Sequence, residues 1–88
     1  MNQFSLIKNK PTGRVRIIPI NEGQEISYCE KFEGTQETIL NRTREMLSGL
    51  ETLLPQGTWM IKVESIDVSN SIYITNNGIF NDRFESLN

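Results

Sequence analysis

Residues 35–54 read TQETILNRTREMLSGLETLL, and their periodicity decides the fold. Ile39, Leu40, Met46, Leu47, Leu50, Leu53 and Leu54, with the methyl of Thr43, recur at spacings of three and four. At about 3.6 residues per turn they form one apolar stripe, with Glu37, Asn41, Arg44, Glu45, Ser48 and Thr52 opposite. Thr35 is placed to cap the free amides, and Glu37 in the first turn suits the positive end of the helix dipole. Pro55 and Gly57 supply the stop. Gly49 is the weak position, because glycine inside a helix costs about 1 kcal/mol relative to alanine. Close approach of a neighbouring strand, or a break near Ser48-Gly49, would account for it.

On either side of this helix the period falls to two. Phe4-Ser5-Leu6 alternates, Pro11-Thr12-Gly13 signals a turn, and Arg14 to Ile17 alternates again. Pro19 cannot donate to a ladder, so its strand is expected to be an edge strand or to end near there. Asn21 to Gln24 reads as a second turn, after which Ile26, Tyr28, Glu30 and Phe32 share one face. Beyond the helix Trp59, Ile61 and Val63 share a face, and Ile66 and Val68 appear in the opposite phase. That phase change predicts a β-bulge near Glu64-Ser65. Ile72 and Ile74 lead into Asn76-Asn77-Gly78, a hairpin signal of the type I′ kind. Ile79, Phe80 and Phe84 then read as a further strand or a short helix.

One long helix between β-rich halves has to lay its stripe on a sheet. The expected fold is a single small α+β domain over residues 1–88. Its antiparallel sheet runs β-β-β-α-β-β, with room for a sixth strand, and the amphipathic helix packs on one face. The expected core is Leu6, Val15, Ile17, Ile26, Tyr28, Ile39, Met46, Leu50, Leu53, Trp59, Ile61, Ile72 and Ile74.

Composition removes several kinds of chemistry. The chain has no histidine and one cysteine, Cys29. Histidine-based triads, general bases and imidazole metal sites are thereby excluded, as is an intrachain disulfide. With so few soft ligands no metal and no cofactor is expected. A net charge of −2 weighs against whole-chain affinity for nucleic acid or a membrane surface. No stretch approaches the ~20 apolar residues that span a bilayer. Residues 1–10 lack the apolar core of a signal peptide, and a lone thiol suits a reducing compartment, so a cytoplasmic location is expected. Alanine is absent beside abundant isoleucine and asparagine, a skew typical of AT-rich genomes such as those of low-GC bacteria and their phages.

Two charged segments are the candidate sites. Lys8, Lys10, Arg14 and Arg16 surround the Pro11-Thr12-Gly13 turn, and residues 1–21 contain no acid. A basic hairpin of this kind can hold phosphate or an acidic partner, and Arg14 and Arg16 would share one strand face. Glu22, Glu25, Glu30, Glu33 and Glu37 form an acidic counterpart suited to a basic partner. Neither Cys29 nor any pair among Glu64, Asp67, Asp82 and Glu85 has spacing that selects it for catalysis. The expected function is a small non-catalytic module that binds another protein, as regulator, inhibitor or accessory subunit. Binding of nucleic acid or nucleotide phosphate through the basic hairpin is the alternative. The sheet edges invite pairing with a second copy, as a homodimer, or with another protein's strand.

Overall fold

The structure is a computed structural model that describes residues 12–66 and 70–87. In chain order it contains β1 (Thr12–Asn21), β2 (Gln24–Glu25), β3 (Glu30–Thr35), α1 (Gln36–Leu53), β4 (Trp59–Ser65), β5 (Ser71–Thr75) and β6 (Gly78–Phe80). All strand pairs are antiparallel. β1 is central: β4 lies along one side of it, β2 and β3 share the other, and the sheet continues through β5 to β6. Because β3 and β4 both oppose β1, they run parallel to each other. Parallel strands require a long crossover, and α1 is that connection. Its 18 residues span about 27 Å, enough to return the chain along the sheet. The fold is α+β, with the helix packed against one sheet face.

The helix forms where its capping chemistry allows. Thr35 Oγ1 accepts the Thr38 N–H at 3.1 Å, and Thr38 Oγ1 donates back to the Thr35 carbonyl at 3.0 Å. At the other end the Leu54 N–H bonds the Leu50 carbonyl at 2.8 Å. The Trp59 indole N–H donates to the Leu54 carbonyl and ties the helix end to the start of β4. The helix runs unbroken through Gly49, where an added Cβ would meet no atom within 4 Å. Neither the expected break nor a close strand approach is present.

Between helix and sheet lies the core. Val15 and Ile17 from β1, Trp59, Ile61 and Val63 from β4, and Ile72 and Ile74 from β5 are buried under Ile39 and Leu47. Each such aliphatic side chain contributes about 2 kcal/mol by leaving water. Thr43 is buried too, and its hydroxyl is satisfied by the Leu40 carbonyl at 2.8 Å. Ile18 and Ile20 are buried on the opposite, helix-free face. Ile18 is the cross-strand partner of Lys62, and Ile20 that of Glu25. The Lys62–Glu25 ion pair at 3.4 Å therefore crosses β1 above both isoleucines, with the lysine stem as their cover.

Several sequence expectations are corrected. Thr12 and Gly13 belong to β1 and pair with Thr35 and Gly34, so they are strand and not the tip of a turn. Phe4 to Leu6, the expected first strand and site of the core residue Leu6, lies outside the described residues. Over Val15–Ile17 the two sides of β1 are paired with β3 and β4. Pro19 sits in the central strand and not at an edge or strand end. Its carbonyl accepts the Ile26 N–H at 3.1 Å, but it has no N–H to return. The Ile26 carbonyl instead accepts the Tyr28 N–H at 2.7 Å, and the chain detours over Ile26–Cys29. The expected continuous strand from Ile26 to Phe32 is thus strand only from Glu30 onward, and the residues that pair before the detour are Gln24 and Glu25. Pairing sums shift from Ile20↔Glu25 to Ile17↔Glu30, an insertion of two residues.

The bulge expected near Glu64-Ser65 is absent, because β4 keeps one register against β1 from Trp59 to Ser65. The apparent phase change marks the chain leaving the sheet at Ile66, which is exposed; Val68 lies outside the described residues. Both two-residue hairpin turns exist, but the type I′ geometry expected at Asn76-Asn77-Gly78 is found at the other turn. Glu22 and Gly23 take φ of 51° and 84°, the type I′ geometry, whereas Asn76 and Asn77 avoid positive φ and Gly78 takes 138°. Of the expected core, Ile26, Met46 and Leu50 are half-buried, and Tyr28 and Leu53 are exposed.

The C-terminal segment is not a helix. Asn81 is buried, and its side-chain oxygen accepts the N–H groups of Arg83 and Glu85, each at 2.9 Å. Its amide donates to Glu85 Oε1 at 2.8 Å. Within this turn Phe84 takes a φ of 62° and stacks on Tyr73 with centroids 4.6 Å apart. Residues beyond the turn return beside β6, with a Phe80↔Ser86 bridge and Leu87 N–H bonded to the Ile79 carbonyl at 2.8 Å.

Two substitutions test these points. Asn81→Ala leaves two backbone donors without their acceptor and should destabilise by about 2–3 kcal/mol in urea unfolding. Gly49→Ala meets open space and should stabilise by about 1 kcal/mol, seen as a higher melting temperature.

Candidate functional site

The detour forced by Pro19 leaves Ile26 and Tyr28 standing beside the C-terminal half of α1. An open groove of about 350 Å³ results, lined by Pro19, Ile26 and Tyr28 on the sheet side. Arg42, Met46, Gly49, Leu50, Leu53 and Leu54 line it from the helix and its cap. Its walls are predominantly apolar. Leu53 is 77% exposed, Leu54 52% and Tyr28 49%, so three large apolar side chains stand in water around one depression. Isolated exposed leucines are ordinary; a cluster around a concavity marks an interaction surface.

The groove is held rigidly at its polar end. Arg42 grips Glu30 in a bidentate pair, Nε to Oε2 at 2.8 Å and Nη2 to Oε1 at 2.6 Å. Tyr28 donates its hydroxyl to Glu30 Oε1 at 3.3 Å, which links the detour to the same carboxylate. Glu45 adds a looser contact to Arg42 at 3.7 Å. The Arg42 hydrogen bonds hold the Glu30 carboxyl below its ordinary value of 4.5. Partial burial opposes them, while the guanidinium charge and the Tyr28 hydroxyl help. The guanidinium of Arg42 is correspondingly raised, chiefly by the hydrogen bonds to Glu30. At the opposite end Asn21 Nδ2 donates to the Gln56 carbonyl at 2.8 Å and fixes the loop that follows Leu54.

The sequence-predicted charges distribute differently. Lys8 and Lys10 lie outside the described residues. Arg14 and Arg16 do share a face, the helix-free one, where Arg16 pairs with Glu64 at 3.2 Å. The acidic residues are not gathered in one patch. Glu22 stands at the β1–β2 turn with its side chain against Gly57, and Glu25 is engaged by Lys62. Glu30 faces the helix, Glu33 lies on the opposite sheet face beside Arg14, and Glu37 opens α1. Among the described residues no three Cys, Asp or Glu side chains are grouped as metal ligands, and no helix is long and apolar enough to cross a membrane.

Arg42 and the groove itself escaped sequence reasoning. Leu53 and Leu54 continue the apolar stripe, yet both stand exposed at the C-terminal end of the helix. Family models, curated proteins and solved structures offer no match to this chain.

The Glu30–Arg42 pair has a pH signature. Because folding depresses the Glu30 pKa, its contribution is fully present above the ordinary carboxylate value and is lost as pH falls through the folded one. Glu30→Gln should cost about 1 kcal/mol at neutral pH. Below the folded pKa of Glu30 the gap to wild type should close, which urea melts across an acid series would read.

Proposed function

We propose that this chain is a small non-catalytic module that binds another protein through the groove between α1 and the Ile26–Cys29 detour. The observation that carries this reading is Gly49. No contact within the fold requires a glycine there, and it weakens the helix by about 1 kcal/mol. What it does provide is room: the groove floor stays open beside Leu50 and Leu53. An apolar concavity with rigid walls suits the apolar face of a partner helix or an extended segment with a large apolar anchor. The pinning of Tyr28 and Arg42 around Glu30 supports a preformed surface, which lowers the entropy lost on binding.

The alternative, phosphate or nucleic-acid binding, has less behind it. Glu33 and Glu64 interleave with Arg14, Arg16 and Lys31 on the same sheet face, so the local field is mixed.

Gly49→Leu fills the groove while improving helix propensity, and Leu53→Asp places a charge on its rim. In affinity capture from the native host, a partner retained by wild type and lost by both folded variants is the expected result. Partners that bind all three proteins equally would refute the groove as the binding surface.

A further inference from the structure

The two borders of the sheet are treated differently. The border at β6 is covered by the returning C-terminal segment. β3 forms the other border, and among the described residues it bonds only β1. The Pro19 carbonyl faces Ile26, and the Arg14 carbonyl accepts the Ile66 N–H. Odd residues of β1 therefore bond toward β2 and β3, and even residues toward β4. Through the β1–β3 register, Glu30, Phe32 and Gly34 turn their peptide groups inward. Those of Lys31 and Glu33 point outward.

We infer that this edge pairs with the same edge of a second copy, antiparallel about a two-fold axis through Phe32. Hydrogen-bond parity admits only registers in which outward-facing residues meet outward-facing residues. An axis at Glu33 would set Glu33 against its own copy, and an axis at Lys31 would set Lys31 against its own copy. The axis at Phe32 sets Lys31 against Glu33 of the second copy, and Glu33 against its Lys31. Two opposite-charge pairs form, and like charges are avoided. Neither residue makes an ion pair among the described residues, and both are exposed. Within its own chain Lys31 lies directly opposite Arg16, a repulsion that Glu33 of the second copy offsets. On the helix-bearing face the two Phe32 rings meet in a non-hydrogen-bonded pair, where Cα atoms approach to about 4.5 Å. This surface is separate from the groove and does not depend on the reading given to it.

Charge reversal tests the register directly. In sedimentation velocity over a concentration series, wild type should pass from its 10.1 kDa monomer to a dimer. Lys31→Glu alone or Glu33→Lys alone turns both pairs repulsive and should weaken association about tenfold or more. An equimolar mixture of the two variants restores every pair and should dimerise as wild type does, and so should the Lys31→Glu/Glu33→Lys double variant. Wild type that stays monomeric to its solubility limit would overturn the inference. So would a dimer indifferent to either reversal, or folded variants whose mixture fails to recover. Amide exchange on wild type gives a readout that needs no variant. The Lys31 and Glu33 N–H groups should gain protection as concentration rises, and continued fast exchange in the dimer would equally sink the idea.

Discussion

A single missing hydrogen-bond donor organises this molecule. Pro19 occupies the central strand, where both sides are in use, and it cannot return the bond that Ile26 offers it. A proline inside a sheet is tolerated only where the ladder can be interrupted, and here the neighbouring chain supplies the interruption. The detour that follows moves β3 one pair along β1. Phe32 then sits opposite Val15, and Glu30 opposite Ile17. From that position Glu30 meets Arg42 on the helix, and the displaced Tyr28 becomes a groove wall. Clamp and groove thus both follow from the detour beside one imino acid.

The helix was the most legible element because its determinants are local. Thr35 as cap, the three-and-four spacing and the Pro55-Gly57 stop act within one or two turns of the residues they control, and the observed span agrees with them. Strand existence was legible for the same reason, since alternation at Arg14–Ile17, Trp59–Val63 and Ile72–Ile74 survives in β1, β4 and β5. Pairing was not. Whether β1 lies inside the sheet depends on its pairing with β4, a strand far along the chain beyond the helix, and no local pattern reports that. The proline rule pointed to an edge because it considers one strand; the actual solution is made by two.

The candidate site was less legible still. Its polar anchor joins Glu30 and Arg42 across a strand–helix junction, and each alone reads as a surface charge. The groove depends on where the helix axis passes over the sheet, which decides that Leu47 is buried and Leu53 is not. Gly49 reads in sequence as a defect in the helix, and only the fold shows that nothing stands beside it. Turn chemistry misled in an instructive way. Asn77-Gly78 has the better type I′ sequence, but Glu22-Gly23 adopts that geometry, held by the Glu22 N–H to the Thr58 carbonyl at 2.9 Å.

The Asn81 turn and the short return beside β6 have a consequence for the size of any assembly. A sheet with two unprotected borders can recruit neighbours at both and grow into a filament. This sheet has one border already shielded by its own chain, so joining at the other exhausts its capacity. Two molecules back to back present only shielded borders to the solution, and growth terminates. On the edge pairing inferred above, the turn built by the buried asparagine would end growth of the sheet at two chains.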